Sequence, residues 1–588
     1  MEKEVLNRRG FTIFSYLKKT YQYARKDKKY LFFFLIGSIL MCVIDVVAPL
    51  LSARQILYLT DEVWQQLLGV TLIIFGVEIL RNICMNVNNY FINKYFYAVK
   101  KNIQLDVARK VLQIETGVLQ ANSSGTFIER ASNDTDTLAH IFIQGIDYLT
   151  YLIAVIGVLF SILFLNTTIF FLYLLFVILL FCAQKYAAKK IQEKNKFRKQ
   201  KKDKASGFIS ELVRGAKDIK LLNAEHSFLA EADQVIEELG EASYSWTRTK
   251  AWFRFLNADL RDLLDLGILL LGIYFITHNE LEVATMLIIL SYRGHILSIS
   301  SNLENFYDII KQFELAAERI FEILEGDKYP KETFGNKHID KVNGEIAFHN
   351  VSFSYEEGQE VLKNISFQIH PNETVSFVGK SGSGKSTIFN LISALYKPNE
   401  GMITFDGIPL NQLDKTSIRQ NMSVISQNPY IFNMSIRENL TIIKKDLTEE
   451  EMIAACKIAC LHDFILTLKD GYDTIVGEGG VTLSGGQRQR LAIARALILK
   501  TEIILFDEAT SALDNETQHD IQQSIQNMQG EYTILIIAHR LSTVINSDRL
   551  LLIDDGKVAG EGSHYELLHN NPIYQKLYEL ELKDTEKK

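Results

Sequence analysis

The stretch Gly379–Thr387, which reads Gly-Lys-Ser-Gly-Ser-Gly-Lys-Ser-Thr, constrains the fold of this chain more than any other feature. An apolar run typical of a β-strand, Thr374–Val378, precedes it, and a helical pattern, Ile388–Ile392, follows it. A glycine-rich turn between a strand and a helix directs backbone N–H groups and the positive end of the helix dipole at one place, which suits a phosphate group. The alternative is an ordinary surface turn, but the flanking strand and helix favour a phosphate-binding loop.

The side chains of this loop have distinct predicted roles. Lys385 is long enough to reach the β- and γ-phosphates of a nucleotide, and the Ser386 hydroxyl is suited to ligate Mg²⁺. Gly382 adds to the two motif glycines and frees the loop backbone to surround phosphate oxygens. The residues predicted to bind the nucleotide are Gly379, Lys380, Ser381, Gly382, Ser383, Gly384, Lys385, Ser386 and Thr387.

The two halves of the chain differ in composition. Hydrophobic residues make up 47% of the 588 residues and charged residues 23%, but these averages hide long apolar runs that are confined to the first half. A net charge of −7 gives no electrostatic support for a nucleic-acid partner. We predict a transmembrane domain over 1–325, a polar linker over 326–343 and a nucleotide-binding domain over 344–588.

Six apolar segments are long enough to cross a bilayer. Before them, residues 11–29 read as a basic interfacial helix, and we expect no cleaved signal peptide within residues 1–29. Lys and Arg crowd the segments 18–29, 94–110 and 185–204, so the positive-inside rule places both termini and the nucleotide-binding half in the cytoplasm. The predicted spans are about 30–55, 65–90, 141–165, 168–188, 256–277 and 281–302.

Two connections between these spans, about 91–140 and 189–255, are too long for unstructured loops. Both keep a helical periodicity of apolar residues, which argues against a disordered basic linker. We therefore expect membrane helices that continue into the cytosol and turn through short helices near 113–124 and 214–223. The expected fold is an α-helical six-span transmembrane domain with long cytoplasmic helix extensions, followed by an α/β P-loop NTPase domain.

Catalytic candidates follow predicted buried strands downstream of the loop. The run Ile503–Asp507 leads directly into Glu508, and ligands collect at the carboxyl ends of parallel strands. Asp507 is predicted to hold Mg²⁺ through water, and Glu508 to polarise an attacking water. Two further strand ends deliver His539, which we expect to contact the γ-phosphate, and Gln427, which we expect to sense Mg²⁺ and the attacking water. An isolated histidine is more often structural, but its place at a strand end favours the catalytic role.

A second glycine-containing motif, Leu483–Gln487, opens a helix predicted over Arg488–Leu499. Its hydroxyl and glycine N–H groups form another phosphate cradle at a helix N-terminus. One chain already has a phosphate loop, so this cradle suggests binding of the same nucleotide from a partner subunit. The residues predicted to do so are Ser484, Gly485, Gly486 and Gln487.

Together these motifs resemble those of the ABC transporter superfamily, specifically an exporter-type (type IV) half-transporter with fused membrane and nucleotide-binding domains. The resemblance covers essentially the whole chain. It implies that the nucleotide is ATP and that Tyr355 stacks on adenine. It also implies a D-loop at Ser511–Asp514 and a segment that contacts the membrane domain at Thr474–Gly480. The motif stretches that carry it are Gly379–Thr387, Gln427, Leu483–Gln487, Ile503–Glu508 and His539.

The resemblance also implies a function and partners. The expected activity is ATP hydrolysis that drives an amphiphilic drug, lipid or peptide out of the cytoplasm or inner leaflet by alternating access. The expected partners are the lipid bilayer, the substrate and a second half-transporter subunit, with an identical copy favoured over a different subunit because every motif is intact. The expected location is a bacterial plasma membrane. The alternative is an ATP-gated channel or regulatory membrane ATPase of the same architecture, whereas six spans argue against a DNA-repair ATPase and the fused domains against an importer.

Ionisable residues within the predicted spans should face a cavity or one another, because a charge in hydrocarbon costs at least about 2.5–3.5 kcal/mol. Spacing predicts local pairs between Glu78 and Arg81 and between Arg261 and Asp265. No such local partner exists for three others, and we expect at least one to line a cavity that favours cationic or zwitterionic cargo. These three are Asp45, Arg293 and His295, and the remaining ionisable residues are Asp147, Asp259 and Asp262.

Overall fold

The chain forms two compact units in a computed structural model. The helical unit comprises Met1–Leu112 and Ser123–Tyr329, and the α/β unit comprises Gln113–Asn122 and Pro330–Lys588. A short segment from the first half of the sequence is thus part of the second unit. The structure describes residues 2–122, 124–297, 299–356, 358–477, 480–507, 515–538 and 544–586.

Long helices dominate the first half of the chain, as the periodicity predicts. Both long connections are helical and turn through the short helices Thr116–Ala121 and Ala216–Leu221, at the places expected. A five-residue π-helix, Arg130–Asp134, follows the helix Ser124–Glu129. The helices are α1 (Glu2–Ala24), α2 (Lys28–Thr60), α3 (Trp64–Val111), α4 (Thr116–Ala121), α5 (Ser124–Glu129), α6 (Thr135–Leu165), α7 (Thr167–Arg214), α8 (Ala216–Leu221), α9 (Glu225–Thr277), α10 (Val283–Leu297) and α11 (Ile299–Glu325).

The turn between α6 and α7 shows how the sequence ends one long helix and starts the next. Asn166 has an extended backbone, and its side-chain Oδ1 accepts a hydrogen bond from the N–H of Ile169 over 3.0 Å. An asparagine at this position satisfies an N–H group that the first turn of a helix leaves unpaired. The two helices are therefore joined by a single residue, which fits a connection outside the membrane that contains no Lys or Arg.

Apolar side chains on the surface of the helical unit indicate a membrane environment. In α3, Leu68, Leu72 and Phe75 are between 62 and 65% exposed, which water would not favour but lipid chains would. Four segments in the described residues are long and apolar enough to span a bilayer: Ile13–Thr60, Trp64–Val111, Ser124–Leu165 and Thr167–Arg214. The predicted spans 256–277 and 281–302 fall within α9 and across α10 and α11, and the count of six spans stays a prediction.

Two charges in these helices face one another, as expected of ionisable residues within the predicted spans. Asp45 of α2, for which the sequence offers no local partner, lies with its Oδ1 3.1 Å from a guanidinium nitrogen of Arg81 in α3. The predicted local pair of Arg81 with Glu78 is longer, at 3.9 Å. Arg81 therefore neutralises Asp45 across two packed helices, which spacing along one helix does not reveal. The side chains of Arg261, Arg293 and His295 lie outside the described residues.

Two main sheets and a small two-stranded sheet build the α/β unit. Its strands are β1 (Ile346–Ser354), β2 (Glu360–Ile369), β3 (Thr374–Val378), β4 (Glu400–Phe405), β5 (Ile408–Pro409), β6 (Met422–Ile425), β7 (Met434–Ser435), β8 (Ile475–Val476), β9 (Ile503–Asp507), β10 (Thr533–Ile537), β11 (Arg549–Asp554) and β12 (Lys557–Gly562). Its further helices are α12 (Lys385–Ile392), α13 (Lys415–Asn421), α14 (Ile436–Thr441), α15 (Glu449–Ile458), α16 (His462–Thr467), α17 (Gly485–Leu499), α18 (Asn515–Gln526), α19 (His564–Asn570) and α20 (Pro572–Glu586).

The larger sheet sets up one edge at which functional residues meet. Its strand order is β12-β11-β3-β10-β9-β6, and the five strands from β11 to β6 are parallel. Every residue of β3 and of β10 is buried, which explains why both read as continuous apolar runs. The smaller, antiparallel sheet has the order β2-β1-β4-β5. Since parallel strands end at one edge, the carboxyl ends of β3, β6, β9 and β10 lie together.

Candidate nucleotide site

The loop between β3 and α12 has the backbone that a phosphate cradle needs. Gly379 has a φ of +147°, and a Cβ there would lie 2.1 Å from the carbonyl oxygen of Ile553. Gly384 has a φ of +107°, and its Cβ would lie 2.6 Å from Leu362 Cδ2. Side chains at these two positions would be both strained and blocked. Gly382, with a φ of +79°, has open space around it, so the middle of the loop is left clear for a ligand.

Lys385 and Ser383 complete the cradle. The Lys385 side chain is only 4% exposed, and its ammonium donates hydrogen bonds of 2.8 Å to the carbonyl oxygens of Gly379 and Lys380. The charge is thereby held across the loop. Ser383 Oγ is buried and has no hydrogen-bond partner in the described part of the chain. A buried hydroxyl without a partner is costly, and a phosphate oxygen would satisfy it. The loop thus fits a nucleotide phosphate.

Oxygen donors for a divalent cation come from three elements around the same edge. Ser386 lies in the first turn of α12, Asp507 is the last residue of β9, and Gln427 follows β6. In the parallel ladder Asp507 is level with Ile537 at the end of β10, and Phe506 is level with Ile425 at the end of β6. Hydroxyl, carboxylate and amide oxygens are hard ligands of the kind that Mg²⁺ takes. The residue types and their shared edge therefore fit the predicted metal, while Glu508 and His539 lie outside the described residues.

Tyr355 stands beside the loop. Its side chain is 47% exposed, its hydroxyl lies 3.2 Å from Thr387 Oγ1, and it accepts a hydrogen bond of 3.1 Å from the Asn390 side chain. A half-exposed aromatic ring next to a phosphate loop is accessible to a base that stacks on it. The sequence reasoning missed Asn390, because an asparagine within a helix gives no local sign of a tertiary contact.

The second cradle is preformed at the start of α17. This helix begins at Gly485, earlier than the predicted Arg488, because Ser484 caps it. Ser484 Oγ accepts from the Gln487 N–H over 3.2 Å, and Gln487 Oε1 accepts from the Ser484 N–H over 2.8 Å. Such a reciprocal capping box includes the two glycines in the first helical turn. The side chains of Ser484 and Gln487 thus hydrogen-bond to each other's backbone in the structure. Of the residues predicted to bind the nucleotide outside the phosphate loop, Tyr355 is one that contacts this loop, through Thr387.

Two family models match successive parts of the chain. Residues 31–300 match the ABC transporter transmembrane region and residues 362–511 match the ABC transporter model. A relative from Bacillus subtilis (strain 168), an uncharacterized ABC transporter ATP-binding protein, is 30% identical over 535 residues, which are 90% of this chain and 88% of the relative. The chain belongs to the ABC transporter family. Fusion of the two regions in one chain makes it an exporter-type half-transporter that couples ATP hydrolysis to transport.

Further comparisons agree with this family. An ATP-dependent lipid A-core flippase of Legionella pneumophila (strain Lens) is 29% identical over 516 residues, which are 87% of this chain and 86% of the flippase. The structure of a bacterial Atm1-family ABC exporter with ATP bound has the same fold, with a TM-score of 0.78 and 24% identity over 93% of this chain and 97% of that one. The ABC half-transporter is thus a multi-pass membrane protein, and its architecture implies pairing with another half-transporter.

Proposed function

We propose that this ABC half-transporter exports an amphiphilic substrate, such as a drug, lipid or peptide, across a bacterial plasma membrane by alternating access. The observation that carries the proposal is the combination, in one chain, of lipid-facing helices with a preformed phosphate cradle. The relation to a lipid A-core flippase supports a substrate with an apolar part. Substrate would be taken from the cytoplasm or the inner leaflet.

The residues at the sheet edge divide the hydrolytic work in this proposal. Lys385 and the loop N–H groups bind the phosphates, and Tyr355 orients the base. Mg²⁺, held by Ser386, Gln427 and Asp507, would neutralise negative charge between the phosphates. Glu508 accepts a proton from the attacking water, and His539 contacts the γ-phosphate.

We further propose that the working unit is a homodimer with two equivalent sites. The α17 cradle, with Ser484, Gly486 and Gln487, would close on the nucleotide held by the partner subunit. A second feature supports a partner: at the end of α8, Leu221 and Leu222 are 74 and 76% exposed in a part of the chain predicted to be cytosolic. Two adjacent exposed leucines in water favour a protein contact.

Transport measurements on the chain expressed alone test both proposals. The purified protein should run as a dimer, hydrolyse ATP and, in proteoliposomes, move one member of a panel of lipids, peptides and cationic drugs against its gradient. A Lys385→Ala protein is the matched control, which should neither hydrolyse ATP nor transport substrate. ATPase activity that appears only with a co-expressed second subunit would contradict the homodimer. Substrate flow only down a gradient would favour the ATP-gated channel.

A further inference from the structure

Tyr396 lies between the base-stacking tyrosine and a helix from the first half of the sequence. Its ring centre is 5.0 Å from that of Tyr355, and the two ring planes are at 89°. Phe353 meets Tyr396 in the same manner, at 5.7 Å and 70°. Edge-to-face contacts of this kind are attractive and directional, so a change in the orientation of one ring alters the preferred position of the other.

The other side of Tyr396 faces α4. The Tyr396 hydroxyl donates a hydrogen bond of 3.3 Å to Gln120 Oε1. A Cβ built on Gly117 would lie only 3.0 Å from Tyr396 Cε1, so the helix backbone packs directly on the ring. A side chain at Gly117 would displace either the ring or the helix. Tyr396 therefore touches α4 through both a polar and a steric contact.

The chain around α4 is fixed to the α/β unit by backbone bonds as well. The Glu115 N–H donates to the carbonyl oxygen of Pro330 over 3.1 Å, and the Glu332 N–H donates to that of Gln113 over 2.8 Å. These two bonds fix the segment that precedes α4 against residues 330–332. As a result, α4 can respond to Tyr396 without any contribution from a second subunit.

Tyr355 is in turn tied to the phosphate loop. Its hydroxyl is close to Thr387, the residue after Ser386, and accepts from Asn390 on the next turn of α12. A continuous set of contacts thus runs from α12 through Tyr355 and Tyr396 to Gln120. All of the residues in this set belong to the α/β unit.

We propose that Tyr396 is a positioning residue through which α4 detects an adenine base on Tyr355. The proposal rests on the function assigned above to Tyr355. A base stacked on the exposed part of Tyr355 restricts the motion of that ring, and the edge-to-face contact then restricts Tyr396. The restriction of Tyr396 in turn restricts Gln120 and Gly117, which it contacts. A ligand with phosphates but no base fills the loop without this effect. Binding of the base therefore affects α4, whereas binding of the phosphates alone affects only the phosphate loop.

Hydrogen exchange on the full-length protein in phosphatidylethanolamine/phosphatidylglycerol nanodiscs tests this proposal. EDTA is present to prevent hydrolysis, and saturating ATP is compared with saturating inorganic triphosphate. Both ligands should protect residues 379–387, but ATP alone should slow exchange in residues 113–122, by about fivefold, the size expected for one edge-to-face pair. Equal protection of 113–122 by both ligands would overturn the proposal. Absence of protection at 379–387 would instead overturn the assignment of the nucleotide site.

Two variants assign the effect to Tyr396. Tyr396→Phe keeps the ring and removes the bond to Gln120, so it should fold and should lose about half of the ATP-specific protection of 113–122 while keeping that of 379–387. Tyr396→Ala should lose all of it. The matched control is Tyr430→Ala, since Tyr430 is a 74% exposed tyrosine of the same unit, and it should behave as the parent protein. Full ATP-specific protection in Tyr396→Phe and Tyr396→Ala would contradict the role of Tyr396.

Discussion

The side-chain amide of Gln489 donates a hydrogen bond of 3.3 Å to the backbone carbonyl oxygen of Gln427. Gln489 is 4% exposed and lies in α17, one turn after the Ser484 cap, whereas Gln427 follows β6. Within one subunit, the helix that would meet the partner's nucleotide is thus joined to the loop that would sense the subunit's own Mg²⁺. A shift of either element changes the position of the other.

The first prediction concerns this bond. Gln489→Leu keeps a similar volume but removes the part-buried hydrogen bond to the Gln427 carbonyl, a loss of about 0.5–1.5 kcal/mol. We expect kcat for ATP hydrolysis to fall about three- to tenfold, with KM changed by less than about threefold, since the phosphate cradle is intact. Gln526→Leu, a change of the same type on the exposed side of α18, is the control. An unchanged kcat in folded dimer would show that the bond has no part in the reaction.

Glu508→Gln is predicted to bind ATP and hydrolyse it slowly. The amide keeps the size of the side chain but cannot accept the proton of the attacking water, so kcat should fall about 10²- to 10⁴-fold. Nucleotide affinity should remain, and the protein should accumulate as a closed, ATP-bound dimer. Single-turnover hydrolysis with equilibrium ATP binding separates the two effects. Turnover near that of the wild type would refute the assignment of Glu508.

Lys385→Ala should have the opposite signature, a loss of binding. It removes a charged donor that is held across the loop within reach of phosphate oxygens, and hydrogen bonds to charged groups contribute about 1.5–3 kcal/mol. ATP affinity should fall about 10- to 100-fold in a direct binding titration. Lys557→Ala, on the exposed surface of β12, should leave it unchanged. Equal affinity in the two variants would mean that Lys385 does not contact the phosphates.

Local patterns predicted much of this fold, because they record what each segment does by itself. Continuous apolar runs gave β3 and β9 to within a residue, and periodicity gave the cytoplasmic helices with their short turns α4 and α8. The glycines of the phosphate loop follow from backbone angles that other residues resist. The contacts of Tyr396 with Gln120 and of Gln489 with Gln427 could not be predicted, since they join residues distant in sequence and need no distinctive residue type.

A pH dependence is predicted at the start of the α/β unit. His338 Nδ1 lies 2.9 Å from Asp414 Oδ2 and its Nε2 lies 3.1 Å from Asp340 Oδ1, and these hydrogen bonds raise the pKa of His338. Stabilisation by protonated His338 is then complete below the ordinary pKa of about 6.5 and is lost as pH rises through the raised value. Thermal unfolding should separate wild type from His338→Gln more at pH 6 than at pH 9. The difference in unfolding temperature should be small, since His338 and its partners are exposed. An equal difference at both pH values would show that protonation of His338 does not stabilise the fold.

The last prediction concerns the Asp45–Arg81 pair between α2 and α3. Arg81→Leu would leave the Asp45 carboxylate without its cation at membrane depth, where a charge costs about 2.5–3.5 kcal/mol, so dimer yield and unfolding temperature should fall. Asp45→Asn should be milder, because Arg81 keeps Glu78 at 3.9 Å. If the pair is structural, the double variant Asp45→Asn/Arg81→Leu should be more stable than Arg81→Leu alone, a non-additivity that a double-mutant cycle measures. Strict additivity, together with substrate-stimulated ATPase altered in Asp45→Asn at unchanged stability, would instead place Asp45 in a cavity that contacts the cargo.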